Sequence, residues 1–278
     1  MEILIIGASG MLGYDLIEEI SNHNLILTNS KTLDITNKKE VMNSISKFKP
    51  DIVINAAAYT DVDGCEENED LAFNVNGEGV KNLALACKKY DAALVHISTD
   101  YVFNGENDKP WVEDDPVGPV SVYGKSKLKG EEAIVENMEK YFIIRTAWLY
   151  GYNGKNFPRT MLELAKTHDE ITVVYDEVGS PTYTKDLAHA IAQLIESDYY
   201  GVYHITNSGS CSWCEFSRYI FEIAERDVKV IPVKASEFNR PAPRPHYSVL
   251  ENKKWKDNGF KPLRDYKEAI KEYIELIK

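Results

Sequence analysis

A tyrosine and a lysine stand four residues apart, at Tyr123 and Lys127, where the sequence predicts the start of a helix. Because four residues span about one helical turn, the two side chains share one face of that helix. A neighbouring ammonium favours the phenolate, so we expect the pKa of Tyr123 to fall from about 10 towards neutral pH. Such a phenol can donate or accept a proton at a carbonyl group. The same spacing occurs by chance on surface helices, so the pair needs support from the rest of the chain.

A strand that ends in two hydroxyl side chains precedes this pair. Residues 93–100 begin as an apolar run, which predicts a buried strand, and they carry Ser98 and Thr99 near their end. Thr99 lies 24 residues before Tyr123, and its hydroxyl can hydrogen-bond the carbonyl oxygen that the tyrosine would protonate. His96 lies within the apolar part of the run, which favours a packed structural histidine over a catalytic one.

The first residues predict a strand, a glycine turn and a helix. Residues 3–6 are apolar, and Gly7, Gly10 and Gly13 follow with GxxGxxG spacing. Glycines let the backbone turn tightly and approach a diphosphate, which then rests on the N-terminus of the helix. Glycine triplets also form ordinary turns, but the strand and helix patterns on either side favour a dinucleotide site.

The end of the second predicted strand, residues 25–28, bears on the choice of dinucleotide. Strict NAD binders usually carry a carboxylate there, on which the adenosine ribose hydroxyls are held. The sequence instead continues with Asn29, Ser30 and Lys31, which would not repel a 2′-phosphate and could bind one. A polar turn accounts for the same residues, so NADH and NADPH both stay open.

Predicted strands and helices alternate through the first 150 residues. This alternation favours an α/β fold with a parallel, doubly wound sheet of the Rossmann type. One predicted strand, residues 51–55, runs into Ala56, Ala57 and Ala58. Their small side chains leave room for a ligand at the end of the strand, or for close helix packing.

Three local features carry further structural predictions. Residues 70–90 predict one long helix with Leu71 on its apolar side. Asn37 and Glu40 fit a capping box at the start of the helix before it. Thr184 fits the N-cap of a later helix.

The composition of the 278 residues is that of a soluble globular protein, with 44% hydrophobic and 27% charged residues. The net charge of −12 argues against non-specific binding to nucleic acid or to an anionic membrane. No apolar run approaches the roughly 20 residues of a membrane span, and the chain opens on a strand rather than a signal peptide. Four cysteines do not indicate a disulfide scaffold in a chain of this size. We therefore expect a cytoplasmic protein.

Two of the cysteines form a CxxC motif at Cys211 and Cys214. Such a motif can bind zinc or act in redox chemistry, but no second cysteine pair accompanies it. Ser212 with Glu215 is instead typical of the start of a helix. The sequence therefore predicts two ordinary thiols and no metal site.

Several segments together resemble the extended, sugar-nucleotide branch of the short-chain dehydrogenase/reductase superfamily, and within it the dTDP-4-dehydrorhamnose reductase family. The resemblance covers almost the whole chain and is most specific where the sequence reads STDYVF, RTAWLY and RPHYSVL. The matching segments are residues 7–13, 34–35, 55–60, 98–105, 123–127, 145–151, 179–182 and 244–250.

The resemblance implies roles for the residues around the reacting carbonyl. Tyr123 would protonate the C4 oxygen of the sugar as hydride arrives, and Lys127 would hold the nicotinamide ribose and tune the tyrosine. Thr99 would hydrogen-bond the reacting oxygen, Asp100 would bind the sugar, and Trp148 would form part of the sugar pocket. Further residues would bind the cofactor: Gly7, Gly10, Met11, Leu12 and Gly13 at the diphosphate, Asp34 and Ile35 at the adenine, and Ala56, Ala57 and Ala58 along its path.

The resemblance also divides the chain into a dinucleotide-binding domain over residues 1–150 and a smaller mixed α/β substrate domain over residues 151–278. Part of the second half is expected to return to the Rossmann sheet. Within it, Asn156 could contact the nucleotide, although a loop leading into a helix explains it equally well. Arg244 could bind the diphosphate sugar as a forked donor, or it could be exposed to solvent.

The implied activity is the NAD(P)H-dependent reduction of the C4 ketone of dTDP-4-dehydro-L-rhamnose to dTDP-L-rhamnose. Two alternatives stay open: another nucleotide-sugar reductase or epimerase, and a non-catalytic NADP-binding subunit similar to the methionine adenosyltransferase β subunit. A monomer and a homodimer are both compatible with the sequence. Some relatives hold Mg²⁺ between carboxylates at a dimer contact, where Asp15 would supply one ligand, but the sequence offers no matching set.

Overall fold

The computed structural model describes residues 1–278, in which strands and helices alternate. The strands are β1 (Glu2–Ile6), β2 (Asn24–Thr28), β3 (Ile52–Asn55), β4 (Ala93–Thr99), β5 (Tyr141–Thr146), β6 (Leu149–Tyr150), β7 (Glu170–Val174), β8 (Val178–Gly179), β9 (Thr182–Tyr183), β10 (Gly201–His204), β11 (Cys211–Ser212) and β12 (Lys229–Val233). The helices are α1 (Met11–Glu19), α2 (Lys38–Phe48), α3 (Val62–Glu67), α4 (Glu69–Phe73), α5 (Val80–Tyr90), α6 (Val122–Asn137), α7 (Phe157–Leu164), α8 (Thr184–Leu194), α9 (Trp213–Ile223), α10 (Lys253–Asp257) and α11 (Tyr266–Ile277).

Six parallel strands form the central sheet in the order β10-β5-β4-β3-β1-β2. The predicted doubly wound sheet is therefore confirmed. The strand order reverses between β1 and β3, and a crevice for ligands opens at the carboxyl ends of the strands at such a point. The edge strand β10 comes from the second half of the chain, so the two halves share one sheet. The domain boundary at residue 150 stays a prediction.

Helices cover both faces of this sheet, which explains why its strands are continuous apolar runs. On one face α1 and α8 pack through Leu16 and Ile191, together with Trp255 from α10. On the other face α2, α5 and α6 pack through side chains such as Leu83 and Ile134. The central strands are thus buried on both sides, and their carboxyl ends lie beside the glycine turn.

A second, smaller core lies in the chain after β6. It surrounds the parallel pair of β7 and β12 with α7, α9 and α11. Aromatic side chains fill this core. Among them, Tyr150 packs against Phe216 and Tyr273, with ring centroids 5.9 and 5.3 Å apart. This mixed α/β unit borders the carboxyl ends of the central sheet.

The long helix predicted over residues 70–90 contains an interruption. Between α4 and α5 the residues Asn74–Gly79 form a π-helical turn, in which the Asn76 amide bonds both backbone groups of Tyr59 and the Ser126 hydroxyl. A π turn adds one residue to the helical repeat. The face that carries Leu71 is therefore rotated away from the core. The prediction that Leu71 lies on the buried, apolar side of the helix is wrong, since its side chain is 47% exposed.

One of the three predicted helix starts is confirmed in full, because Ser212 forms a reciprocal capping box with Glu215. Asn37 caps α2 by accepting hydrogen bonds from the Lys39 and Glu40 backbone, but the capping box predicted there is incomplete, because the Asn37 backbone N–H donates to the Asp34 carbonyl and not to Glu40. The N-cap assigned to Thr184 is wrong, because α8 begins at this residue and Tyr183 precedes it. The Thr184 hydroxyl instead donates to the Tyr150 carbonyl oxygen at 3.2 Å, which fixes α8 to the end of β6.

Candidate active site

A cavity of about 620 Å³ opens at the carboxyl ends of β1, β3 and β4, where the strand order reverses. It brings together most of the residues that the sequence analysis selected. Those that line it are Gly7, Gly10, Met11, Leu12, Ala56, Ala57, Ala58, Thr99, Asp100, Tyr123, Lys127 and Trp148. The lining includes further residues that were not selected, of which Tyr101 and Trp213 are the largest.

The glycine turn is built for close backbone approach. Gly7 has a φ of 81°, which favours glycine, and its carbonyl accepts the Gly10 N–H at 2.9 Å. Gly13 does not line the cavity, but a Cβ at this position would lie 2.3 Å from the Gly7 carbonyl oxygen. Helix α1 starts at Met11 without a side-chain cap, so the N–H groups of its first turn stay available for an anion.

Gly13→Ala is expected to weaken NADPH binding at least tenfold, about 1.4 kcal/mol, because the added methyl group must push the glycine turn out of shape. Gly118→Ala is the matched control, since a Cβ there meets only Asn104 at an ordinary 3.8 Å. Isothermal titration calorimetry with NADPH measures the dissociation constant of each variant. Equal affinities for the two would contradict the role given to the turn.

Tyr123 lies in the first turn of α6, whose N-cap is Ser121. Its ring packs edge-on against Tyr101 with centroids 5.5 Å apart. The Thr99 hydroxyl, at the end of β4, faces the phenol closely enough to stabilise its ionised form. The structure therefore brings the phenol and the strand-end hydroxyl together at the cavity, as the sequence predicted.

The pKa of Tyr123 departs from the expectation. Burial raises it above its usual value, the Thr99 hydroxyl opposes the rise, and the Asp100 carboxylate adds to it. Lys127 is buried beside it but donates from Nζ to the Ile97 carbonyl oxygen at 2.6 Å, so its charge is directed at the strand. The predicted lowering of the Tyr123 pKa is therefore wrong for the protein by itself, since desolvation dominates and Lys127 is not among the groups that shift this pKa.

Lys127 has an altered pKa of its own. Burial lowers it from the usual 10.5 to about 8, and the charge of Glu131 opposes this effect. Glu131 follows Lys127 by one turn of α6 and forms a bidentate ion pair with Arg145 on β5, with N–O distances of 2.7 and 3.1 Å. It also accepts a hydrogen bond from the hydroxyl of Ser98. A buried network thus joins the helix that carries the tyrosine to the strand that carries Thr99.

Asp100 follows Thr99 and is fully buried beneath the cavity. Burial raises the pKa of its carboxyl to about 6, against the opposing effects of the nearby Ser248 and Thr99 hydroxyls. Its Oδ1 atom accepts a hydrogen bond from the Thr99 hydroxyl at 3.0 Å, whereas Oδ2 has no partner. An unpartnered buried oxygen that borders a cavity fits a hydroxyl donor from a ligand, because buried polar groups are normally paired.

Trp148 lies between β5 and β6 and lines the cavity. Its φ of 48° places it in the left-handed region, which is rare for a bulky residue. Its indole stacks on that of Trp213 with ring centroids 3.4 Å apart and an interplanar angle of 6°. Sequence reasoning noted Trp213 only as part of the CxxC motif.

Asn156 and Arg244 do not line the cavity, and their roles towards substrate stay predictions. Asn156 is the N-cap of α7, and its amide also donates to the Gly151 carbonyl and the Tyr273 hydroxyl. Arg244 forms a bidentate ion pair with Asp63, at 2.8 and 3.1 Å.

Asp34 and Ile35 also lie outside the cavity lining. The Asp34 carboxylate accepts hydrogen bonds from the backbone and hydroxyl of Thr36, whereas Ile35 is buried against Gly79. Their contact with an adenine stays a prediction. His96 is buried and bonded to the Asn55 amide, a structural setting like the one predicted for it.

Asp15 belongs to no metal-binding group within the chain. It is buried, and burial raises the pKa of its carboxyl against the opposing effect of the Thr184 hydroxyl. Within the chain, no group of three His, Cys, Asp or Glu side chains lies where it could hold one metal ion, and a Mg²⁺ site shared between two subunits stays a prediction.

The two CxxC thiols are buried, and burial raises the pKa of each, that of Cys211 to about 12. Cys211 lies in β11 and Cys214 in the first turn of α9, where they pack in the smaller core. Elsewhere in the chain, no helix is both long and apolar enough to span a membrane.

Comparison with known proteins agrees with this geometry. The family model described as the RmlD substrate binding domain matches residues 1–278. The spore coat polysaccharide biosynthesis protein SpsK of Bacillus subtilis is 44% identical over 276 residues, which cover 99% of this chain and 97% of that protein. A dTDP-4-dehydrorhamnose reductase structure from Clostridium acetobutylicum superposes with a TM-score of 0.98 at 48% identity, covering 100% of this chain and 99% of the other.

A second solved structure adds a ligand to the comparison. It is the dTDP-4-dehydrorhamnose reductase of Bacillus anthracis in complex with NADP, with a TM-score of 0.97, 42% identity and 99% coverage of both chains. A match of the family model from the first residue to the last, with relatives above 40% identity over nearly full length, shows the family. The chain belongs to the RmlD substrate binding domain family, within the extended short-chain dehydrogenase/reductase fold that its sequence resembles.

Proposed function

We propose that this chain reduces the C4 ketone of dTDP-4-dehydro-L-rhamnose to dTDP-L-rhamnose, with NADPH as the hydride donor. The protein is an NAD(P)-dependent oxidoreductase of its family, and the names of its relatives support the nucleotide sugar as substrate. The observation that carries the proposal is that the glycine turn, Thr99, Tyr123 and Lys127 all line one cavity.

The residues present fit a bound NADPH. The uncapped first turn of α1 can hold the diphosphate, and the turn at Gly7 lets the backbone come close to it. Beyond β2, Asn29 and Ser30 line the cavity where a carboxylate would repel a 2′-phosphate. When bound, the cofactor supplies the hydride that the reduction requires.

The protein's own groups supply the proton and the electrostatic setting. The Tyr123 phenol, protonated because burial raises its pKa, is the acid that gives its proton to the C4 oxygen. When substrate is bound, the Thr99 hydroxyl turns from Asp100 Oδ1, to which it donates in the free protein, and donates to the C4 oxygen. The ammonium of Lys127 stabilises the phenolate that forms. The preorganised donors act where charge develops, which is where such groups accelerate a reaction most.

Purified protein incubated with NADPH and dTDP-4-dehydro-L-rhamnose tests the proposal, with loss of the reduced-nicotinamide absorbance as the signal and product identification by NMR. A panel of other nucleotide-sugar ketones, run in parallel, separates this substrate from related ones. Turnover of a different sugar alone would overturn the substrate assignment. Binding of NADPH without any turnover would favour the regulatory-subunit alternative, and capture of a partner enzyme would then be sought.

The kcat/KM of this reaction is expected to fall as pH rises through about 8, because Lys127 then loses the proton that makes it cationic. Its pKa is lowered by burial, so the ammonium form is present below that pH and lost above it. In Lys127→Arg, the remaining kcat/KM should not fall near pH 8, since the guanidinium keeps its proton. Rate profiles of both proteins measure it, and a native profile flat up to the ordinary lysine pKa of about 10.4 would contradict the role.

We further propose a cytoplasmic enzyme that acts as a monomer or homodimer. The four cysteines are free thiols, which is typical of a reducing compartment. Sedimentation of the purified protein at several concentrations distinguishes the two assembly states.

A further inference from the structure

The wall of the cavity contains a residue in an unusual backbone conformation. Trp148 has a φ of 48°, in the left-handed region that bulky side chains rarely adopt. Such a conformation persists only where the surroundings impose it. Two contacts on the indole of Trp148 do so here.

The first contact is the face-to-face stack with Trp213. The two indoles are 6° from parallel with centroids 3.4 Å apart. Trp213 is the first residue of α9, and the capping box between Ser212 and Glu215 fixes that helix start, with backbone-to-side-chain hydrogen bonds of 2.8 and 3.2 Å. Trp213 is therefore held by its own backbone and can impose a position on its partner.

The second contact is with Gly179. A Cβ at this position would lie 2.4 Å from Cε2 of the Trp148 indole, 2.6 Å from Nε1 and 2.7 Å from Cζ2. The indole therefore lies directly against the glycine backbone. Only a residue without a side chain leaves room for it there.

One two-stranded ladder sets both contacts. Gly179 in β8 pairs with Cys211 in β11, and Ser212, the next residue in β11, leads directly to Trp213. The ladder is anchored in the smaller core through the buried Cys211 and Cys214. Backbone pairing thus fixes the distance between Gly179 and Trp213, and the indole of Trp148 fills the space between them.

We propose that Trp213 and Gly179 form a clamp that positions Trp148 for binding the sugar ring of the substrate. This inference rests on the proposed function, which it deepens. A 6-deoxyhexose presents a methyl group and ring hydrogens, which are apolar and pack against an indole. Trp213 is accordingly a positioning residue, and its effect should fall on the sugar and not on the dinucleotide, whose glycine turn belongs to the central sheet and not to the smaller core against which Trp213 packs.

Trp213→Leu tests the clamp. We expect at least a tenfold rise in KM for the nucleotide sugar, with KM for NADPH within twofold of the native value. The exciton couplet that two stacked indoles produce in circular dichroism should disappear at the same time. Trp213→Phe keeps an aromatic face and should recover most of the affinity for sugar, although it also lacks the couplet.

Phe157→Leu is the matched control. Phe157 packs against Trp213 with centroids 4.4 Å apart but does not line the cavity, so its loss removes aromatic packing and leaves the tryptophan pair intact. This variant should keep the couplet and a sugar KM within threefold of native. If Trp213→Leu does not fold, Gly179→Ala displaces the same indole and should show the same selective rise in sugar KM.

The sugar used for these variants is whichever member of the substrate panel the native enzyme turns over best. Failure of the native enzyme with dTDP-4-dehydro-L-rhamnose would overturn the proposed substrate, while the clamp is still tested on the preferred sugar. A folded Trp213→Leu protein that loses the couplet and keeps native kinetics for that sugar would overturn the clamp alone. Equal rises in KM for sugar and NADPH would also overturn it, since they indicate general loosening of the site.

Discussion

Tyr123→Phe is expected to lower kcat for the nucleotide sugar by about a thousandfold, within the range that a positioned acid contributes. The variant removes only the hydroxyl that donates the proton, and the phenyl ring can keep its edge-on packing against Tyr101. NADPH affinity should stay within twofold of native, because the glycine turn and Lys127 are unchanged. Steady-state kinetics with the sugar and a separate titration with NADPH measure the two quantities.

Tyr101→Phe is the appropriate comparison, since it removes a second phenol from the same cavity. Tyr101 follows Thr99 by two residues, and its hydroxyl has no part in the proposed proton transfer. We expect a loss of less than tenfold for this variant. If the two phenylalanine variants were equally impaired, or if Tyr123→Phe kept more than a tenth of native turnover, another group would have to be the acid.

Glu131→Leu is expected to lower the free energy of unfolding by roughly 3–5 kcal/mol, because it leaves the Arg145 guanidinium buried without its partner. It also removes the acceptor of the Ser98 hydroxyl. Urea denaturation, with the midpoint and slope fitted together, measures the change.

Two further variants show whether the lost charge pair is the cause. Glu131→Leu combined with Arg145→Leu should recover much of the stability, since an apolar pair of similar volume often replaces a buried ion pair without loss. Glu132→Leu changes the adjacent, half-exposed carboxylate, which pairs only with Lys129, and should alter stability by about 0.5 kcal/mol or less. A double variant as unstable as Glu131→Leu alone would show that packing, and not the unpaired charge, dominates.

The difference between Glu131, which is buried and ion-paired, and the exposed Glu132 could not be predicted from the sequence. Both are glutamates in a helix that the sequence describes simply as polar, and no local pattern separates them. The fold does so, because one face of α6 packs on the sheet opposite Arg145, which is 14 residues away in the chain. The local elements, the glycine turn and the Tyr123–Lys127 pair were predictable because each depends on neighbours in sequence.

The errors in the predictions have the same origin. The pKa of Tyr123 was expected to fall because Lys127 is one helical turn away, yet burial of the phenol and the bond from Lys127 to Ile97 depend on the packed sheet. Thr184 has the right chemistry for a cap, but β6 supplies a carbonyl that its hydroxyl bonds instead. Trp213 had a sequence signal, an aromatic residue directly after a capping serine, but its stacking partner lies 65 residues earlier.

The strand order has a consequence for how the molecule can be divided. Because β10 pairs with β5 at the margin of the central sheet and α8 packs over α1, a chain severed after residue 150 would lose both. The N-terminal fragment would then expose unpaired amides along β5 together with an apolar face, a combination that leads to self-association. A protease nick in the surface loops should accordingly leave the two pieces bound to each other, and heating should melt the intact protein in a single cooperative step.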